Sequence, residues 1–159
     1  MDFYVKQRVF SWRDRFSIYD ASGGERYYVE GEAFSFGKKL HIYDLSGFEV
    51  AYIHQKVFSF APRYYIYRNG CEVAEIVKKF TFFRDTYFVN GPGWTVNGDF
   101  FDHCYEMTNG GLFVAAVQKE WFTFGDAYHI SVNNGVDEVM ALAACLVIDA
   151  CIDAEHNSY

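Results

Sequence analysis

Residues 136–154 read VDEVMALAACLVIDACIDA, and they are the only stretch of this chain whose pattern predicts a long helix. No residue between Val139 and Ile148 is polar, so the predicted helix has no solvent-facing side along its middle. A helix that is apolar on every side must be buried on every side, in a protein core or in a membrane. A membrane span needs about 20 apolar residues. This run ends sooner, at Asp149, which favours a core helix over a membrane span.

The chain before this helix alternates short apolar runs with turn residues, which is the pattern of antiparallel strands. Aromatic residues make up 21% of the chain, and they favour strands over helices. The strongest hairpin signal is Asn69-Gly70, because Asn-Gly suits the tightest β-turns. About twelve strands are predicted, at residues 4–10, 15–19, 26–30, 40–44, 49–58, 63–67, 72–80, 86–89, 94–96, 103–107, 112–122 and 128–132, with a short segment 33–36 after the third.

An internal repeat of hairpin length runs through these strands. Its origins are Gly47, Gly70 and Gly111, and the same residue types return at plus three, four, six and thirteen. The repeated residues are Val50, Ala51, Ile53 and Phe60, then Val73, Ala74, Ile76 and Phe83, then Val114, Ala115, Val117 and Phe124. Side chains alternate along a strand, so the plus-four and plus-six residues share a face, which we expect to line the helix. Generic antiparallel patterning is the alternative explanation.

The helix start is also signalled. Asn133, Asn134 and Gly135 supply turn and cap residues, and Asp137 and Glu138 suit the positive end of the helix dipole. Nineteen helical residues span about 28 Å, the height of a small barrel. Closing the sheet around the helix would bury the helix and remove exposed sheet edges. The predicted fold is therefore mainly β: one domain, residues 1–159, with a closed antiparallel barrel of about twelve strands around a central C-terminal hydrophobic helix at about 136–154.

Composition narrows the class of protein. The net charge of −7 argues against a nucleic-acid binder, which needs a basic surface. Cys71, Cys104, Cys145 and Cys151 form no C-x-x-C pair, and the two helical cysteines lie about 240° apart, too far round the helix to bridge. The N-terminal residues lack the pattern of a signal peptide. We expect a reduced, cytoplasmic protein.

Four stretches carry a resemblance to a known family. They are YDLSGFEVA at 43–51, WTVNGDFF at 94–101, YHI at 128–130 and ALAACLVID at 141–149. In order and spacing they resemble the LURP-one-related family, over nearly the whole chain. The resemblance implies a tubby-like fold, shared with the C-terminal domain of tubby proteins and with phospholipid scramblases: a twelve-stranded barrel around a central helix.

The same resemblance implies less about function. Tubby-type domains bind phosphoinositides through a basic cluster, and scramblases are membrane proteins with palmitoylated cysteines. The cysteine-rich run of scramblases is absent here, and the net charge of −7 departs from a lipid-binding surface. No functional residue is carried over, because the family has no catalytic motif to match.

Candidate chemistry in the chain is sparse. Asp102-His103-Cys104 suggests a nucleophile triad, but on a strand His103 would point away from its two neighbours. Asp149 interrupts an apolar helix, and burying an unpaired carboxylate is costly. We expect it to reach the barrel rim or to pair with an inward-facing base or a backbone donor. It shares one helical stripe, within about 20°, with Glu138, Cys145 and His156.

Two kinds of surface group were considered for binding. The basic residues Lys38, Lys39, Lys78, Lys79, Arg63, Arg68 and Arg84 would attract an anionic membrane only if three or four clustered. Neighbouring lysines on a strand project to opposite faces, so each pair contributes one charge. Trp12, Trp94 and Trp121 are candidates for an exposed partner surface.

The sequence therefore predicts a non-enzymatic binding module of unknown ligand. The possible partners are a membrane phospholipid or phosphoinositide, or another protein. Three alternatives stay open: a scramblase-like lipid-handling protein, a structural or oligomerising protein, and an enzyme or transporter with a site at one barrel end. No catalytic, metal or cofactor-binding residue is assigned, and no cofactor is expected.

Overall fold

A computed structural model describes residues 1–6, 15–32, 34–122 and 125–156, without the side chains of residues 121, 122, 125 and 126. In this part of the chain, twelve strands precede one helix, α1 (Glu138–His156). The strands are β1 (Asp2–Val5), β2 (Phe16–Asp20), β3 (Glu25–Gly31), β4 (Lys39–Asp44), β5 (Glu49–Gln55), β6 (Arg63–Arg68), β7 (Cys71–Lys79), β8 (Thr86–Asn90), β9 (Trp94–Asp99), β10 (Cys104–Asn109), β11 (Leu112–Phe122) and β12 (Gly125–Val132).

Each strand pairs antiparallel with the next along the chain, and β12 pairs with β1, so the sheet closes into a barrel. The closing register places Asp2 opposite Ser131 and Val5 opposite Tyr128. Four hairpins carry a register shift close to their tight turn, at Ile18/Tyr19, Ile42/Tyr43, Ile66/Tyr67 and Met107/Thr108. Such bulges increase local twist and bend a strand, which helps a sheet to curve into a barrel.

Helix α1 fills the barrel. Every residue from Val139 to Ile152 is buried. The repeat's plus-four and plus-six residues face inward as expected, because Ala51, Ala74, Ala115, Ile53, Ile76 and Val117 are all at most 3% exposed. Among the described residues, no helix has the length and apolar character needed to cross a membrane.

Several predicted boundaries were wrong, for identifiable reasons. The fifth strand ends at Gln55 rather than at residue 58, where Phe58 adopts a left-handed φ of 61° that a strand does not use. Helix α1 starts at Glu138 because Asp137 is its cap: the Asp137 carboxylate accepts the backbone N–H groups of Val139 and Met140. The first strand ends at Val5, and residues 7–10 of the predicted 4–10 lie outside the described range.

The two ends of the barrel differ. The turn end carries short connections between strands, at residues 21–24, 45–48, 69–70, 91–93 and 110–111, together with the start of α1. The loop end carries the longer connections 32–38, 56–62 and 80–85, the turn 100–103, and the end of α1. Residues from several loops therefore lie together at one end of the barrel because the sheet is closed.

Candidate functional site

The candidate site is the loop end of the barrel, which is rimmed by exposed phenylalanines. They are Phe34 and Phe36 in the β3–β4 loop, Phe58 and Phe60 in the β5–β6 loop, Phe80, Phe82 and Phe83 in the β7–β8 loop, and Phe101 in the β9–β10 turn. We call these eight residues the phenylalanine rim. Phe34, Phe60 and Phe82 are as exposed as in an unfolded chain, at 104%, 105% and 103%.

This rim explains part of the sequence repeat. Phe60 and Phe83 occupy its plus-thirteen position, and Phe124, the third member, lies outside the described residues. Thirteen residues from the turn glycine carry the chain up one strand and into the opposite loop, so both Phe60 and Phe83 lie at the same end of the barrel. The periodic phenylalanine therefore indicates an exposed apolar surface, which was not predicted from the sequence.

The prediction that the tryptophans form an exposed surface is wrong for Trp94. Trp94 begins β9 with its side chain buried, at 7% exposure, because strand alternation turns it inward with Val96. Trp12 and the side chain of Trp121 lie outside the described part of the protein. The exposed aromatic surface is made of phenylalanine on the loops instead.

Basic residues are concentrated toward the same end. Of the lysines and arginines that the structure describes, the turn end carries Arg26 and Arg68, which pair with Glu138 and Asp137 at the start of α1. The others lie in the half of the barrel nearer the loop end: Lys6, Arg15, Lys38, Lys39, Lys56, Arg63, Lys78, Lys79, Arg84 and Lys119. Most of the described lysines and arginines thus lie in the half of the barrel that carries the phenylalanine rim.

Three of these basic side chains are exposed next to the rim. Lys56 adjoins the β5–β6 loop, while Lys79 and Arg84 flank the β7–β8 loop. Within the described residues, none of the three forms an ion pair, although Lys79 lies 6.0 Å from the centre of the Phe88 ring. The β5–β6 loop and Gly37 also enclose a surface depression of about 320 Å³.

Lys78 and Lys79, which both lie on β7, behave as strand alternation predicts. The Lys78 side chain points inward, where its ammonium contacts the carboxylates of Asp85 and Glu155 and ties α1 to the wall. Lys79 is exposed. Lys38 is partly buried near Cys151 and Asp153, and this burial lowers the pKa of its ammonium group. Lys78 and Lys79 therefore supply one surface charge, whereas Lys38 lies before β4 and, like Lys39, is half-buried.

Asp149 lies inside the barrel at 3% exposure, and it has the partners that its burial requires. Its Oδ1 lies 3.3 Å from Nδ1 of His103 and accepts a hydrogen bond of 3.1 Å from the Tyr105 hydroxyl. Tyr105 is also within 3.2 Å of the Cys145 carbonyl oxygen. The expectation that Asp149 pairs with an inward-facing base is thus confirmed.

The assumption that His103 lies on a strand was wrong. His103 precedes β10 in a turn, with a left-handed φ of 51°, and its ring packs against Tyr128 at 5.3 Å between centroids. Asp102 and Cys104 are exposed, whereas His103 turns toward the helix. Asp102, His103 and Cys104 therefore do not form a shared site. The described residues also contain no group of three or more His, Cys, Asp or Glu side chains that could hold a metal ion.

Asp149 makes stability depend on pH in a testable direction. Burial raises the pKa of its carboxyl group, and the interactions with His103 and Tyr105 offset this only in part. The folded-state pKa of Asp149 therefore lies above the unfolded value of about 3.9, so its protonated form stabilises the fold. This contribution to the free energy of unfolding is fully present below the unfolded pKa and is lost as pH rises through the folded pKa. We therefore expect the stability of Asp149→Asn, an uncharged isostere, to increase relative to that of wild type between about pH 3.5 and about pH 7.

Urea unfolding of both proteins at the two pH values measures this difference. The exposed carboxylate Asp102, beside the same histidine, provides the matched control, because Asp102→Asn removes the same charge without relieving burial. A stability difference between wild type and Asp149→Asn that does not change with pH would show that the His103 pairing offsets burial completely.

Comparisons with known proteins agree with this barrel. The model of the LURP-one-related family matches residues 1–149. The uncharacterized protein YxjI of Bacillus subtilis (strain 168) is 35% identical over 149 residues, which cover 94% of this chain and 92% of that protein. A crystal structure of a protein from Arabidopsis thaliana shares the fold, with a TM-score of 0.65 at 18% identity over 96% of this chain and 90% of that one. None of these three comparisons indicates an enzyme family.

Proposed function

This chain belongs to the LURP-one-related family, and from that premise we propose that it is a non-enzymatic binding module that attaches to anionic phospholipid membranes. The loop end is the attachment surface. The phenylalanine rim enters the boundary between headgroups and acyl chains, while the neighbouring basic side chains contact lipid phosphates. The twelve-stranded barrel acts as a rigid scaffold that presents the rim.

The exposed phenylalanines are the observation that carries the proposal. Single exposed apolar residues are normal on a protein surface, but a contiguous apolar patch marks an interaction site. Four separate loops and turns each present phenylalanine at one end of the barrel. Fully burying one phenylalanine contributes roughly 1.5–3 kcal/mol, so even partial insertion of several rings supports stable attachment.

The charge distribution favours a membrane over an uncharged apolar partner. A basic side chain near an anionic membrane surface contributes about 1 kcal/mol. Lys56, Lys79 and Arg84 are exposed beside the rim, so they can follow the inserted rings to the phosphate level. The net charge of −7 counts every ionisable residue of the chain, whereas attraction to lipid phosphates depends on the exposed side chains beside the rim.

The filled interior supports binding over catalysis. Helix α1 occupies the space in which a barrel of this kind would hold a small ligand. Asp149 and Tyr105 are buried, and their polar atoms are satisfied by each other, by His103 and by the helix backbone. Asp149, Tyr105 and His103 thus link the barrel wall to the helix, and a partner would bind on the outer surface of the barrel.

Vesicle co-sedimentation tests the proposal with the whole protein. We expect saturable binding to vesicles of phosphatidylcholine with phosphatidylserine, weaker binding to phosphatidylcholine alone, and partial loss as salt screens the basic side chains. Light scattering of the free protein provides a control for self-association through the rim. Absence of binding to both kinds of vesicle would refute membrane attachment.

A further inference from the structure

A second aromatic surface lies on the outer wall of the barrel, away from the phenylalanine rim. It crosses β3 to β6 and consists of Tyr28, His41, Tyr43, Tyr52, His54 and Tyr67, which we call the tyrosine strip. Successive ring centroids are 4.9–6.2 Å apart, and most pairs are stacked. All six side chains are only partly buried, so the strip forms a continuous aromatic track on the surface.

Carboxylates border this track. Glu49 and Glu32 lie 2.7 Å and 3.0 Å from the two ring nitrogens of His41, and both carboxylates are more than 40% exposed. Burial raises the pKa of the Tyr43 hydroxyl, and so do the negative charges of Glu49, Glu30 and Glu32. The Lys39 ammonium also lies here, with its Nζ 3.7 Å from Glu32. Carboxylates that already accept cationic or hydrogen-bonding partners therefore lie beside the strip.

The same wall already holds cations of its own chain on tyrosine faces. The Arg15 guanidinium carbon lies 3.9 Å from the ring centroid of Tyr28, at one end of the strip. On the neighbouring strand, the Lys6 ammonium lies 4.6 Å from the Tyr19 ring centroid. Electron-rich ring faces attract lysine and arginine in this geometry. These two contacts show that tyrosine rings on this wall accommodate cationic side chains.

We propose that the tyrosine strip binds an extended, lysine- or arginine-bearing segment of a partner protein. Aromatic faces and exposed carboxylates together match cationic side chains, and an acidic or purely apolar segment lacks that complementarity. Three strand spacings of about 4.8 Å make the strip roughly 14 Å long, which corresponds to four or five extended residues. The six rings lie on the outer wall formed by β3 to β6, and Glu32 begins the β3–β4 loop at the loop end.

Fluorescence anisotropy with a labelled oligo-arginine peptide tests the strip on the full-length protein. We expect saturable binding that Glu32→Gln with Glu49→Gln weakens about fivefold, because two exposed carboxylates facing the peptide are lost. Glu106→Gln with Asp102→Asn removes the same charge from exposed positions across the barrel and should leave affinity unchanged. Equal weakening by both pairs would show attraction to net charge alone and would overturn the proposal.

The rings require a separate test, since charge alone does not involve them. Tyr52→Phe keeps the ring and should retain the affinity for oligo-arginine, whereas Tyr52→Leu should lower it about fivefold. Thermal unfolding of both variants controls for damage to the wall. If folded Tyr52→Leu binds the peptide as well as Tyr52→Phe, the strip does not recognise cations.

Discussion

Replacing Phe82 and Phe83 with serine should lower the affinity for phosphatidylserine-containing vesicles by about a hundredfold. Both side chains are almost completely exposed, at 103% and 96%, so folding gains little from them. Partial burial of each ring in the membrane interface is worth on the order of 1.4 kcal/mol, a factor of about ten per residue. A co-sedimentation titration with wild type and the double variant measures the change directly.

The turn end provides a matched control for this loss. Leu45 and Phe48 are also exposed, at 61% and 58%, but lie at the opposite end of the barrel. Leu45→Ser with Phe48→Ser should therefore leave vesicle affinity within about twofold of wild type. If both double variants bind alike, the phenylalanine rim is not the attachment surface.

Lys79→Gln with Arg84→Gln should instead reduce the dependence of binding on salt.

Shortening Leu142 to alanine should destabilise the fold by about 3–5 kcal/mol, the largest stability effect expected here. Leu142 is completely buried in the second turn of α1. The surrounding wall is a closed ring of paired strands, so it cannot easily collapse into the space that the lost side chain leaves. Urea unfolding monitored by tyrosine and tryptophan fluorescence reports the change in free energy.

The same substitution on the surface controls for the chemistry of leucine and alanine. Leu112 begins β11 and is 75% exposed, so Leu112→Ala should cost less than about 0.5 kcal/mol. A small effect of Leu142→Ala, comparable with that of Leu112→Ala, would mean that the helix is not packed tightly against the barrel wall.

The interior of this protein was largely predictable from sequence. An apolar helix without a solvent face required a surrounding wall, and the hairpin repeat identified inward residues such as Ala51 and Ile53 because alternation along a strand is local geometry. Family resemblance pointed to the same barrel, and the family comparison confirms it. Boundaries were less accurate where one residue's conformation decided them, as at Phe58 and at the Asp137 cap.

The partners of Asp149 were only partly predictable. Its burial within an apolar helix required a hydrogen-bonding partner, and that much follows from the cost of an unpaired carboxylate. The sequence did not identify His103 as that partner, because His103 was assigned to a strand, whereas a left-handed turn directs its ring to the helix. A single backbone dihedral, invisible in the residue pattern, decided the pairing.

The sequence by itself determined which side chains face inward, because alternation and helical periodicity depend only on near neighbours in the chain. Only the tertiary structure decided which outward residues meet. Phe34 and Phe101 are far apart in sequence, and they share one rim because twelve antiparallel strands return each longer loop to the same end. The tyrosine strip forms for the same reason, since the pairing register brings Tyr28 opposite Tyr43 and Tyr52 opposite Tyr67. Both proposed binding surfaces thus arise from closure of the sheet around the helix at residues 138–156.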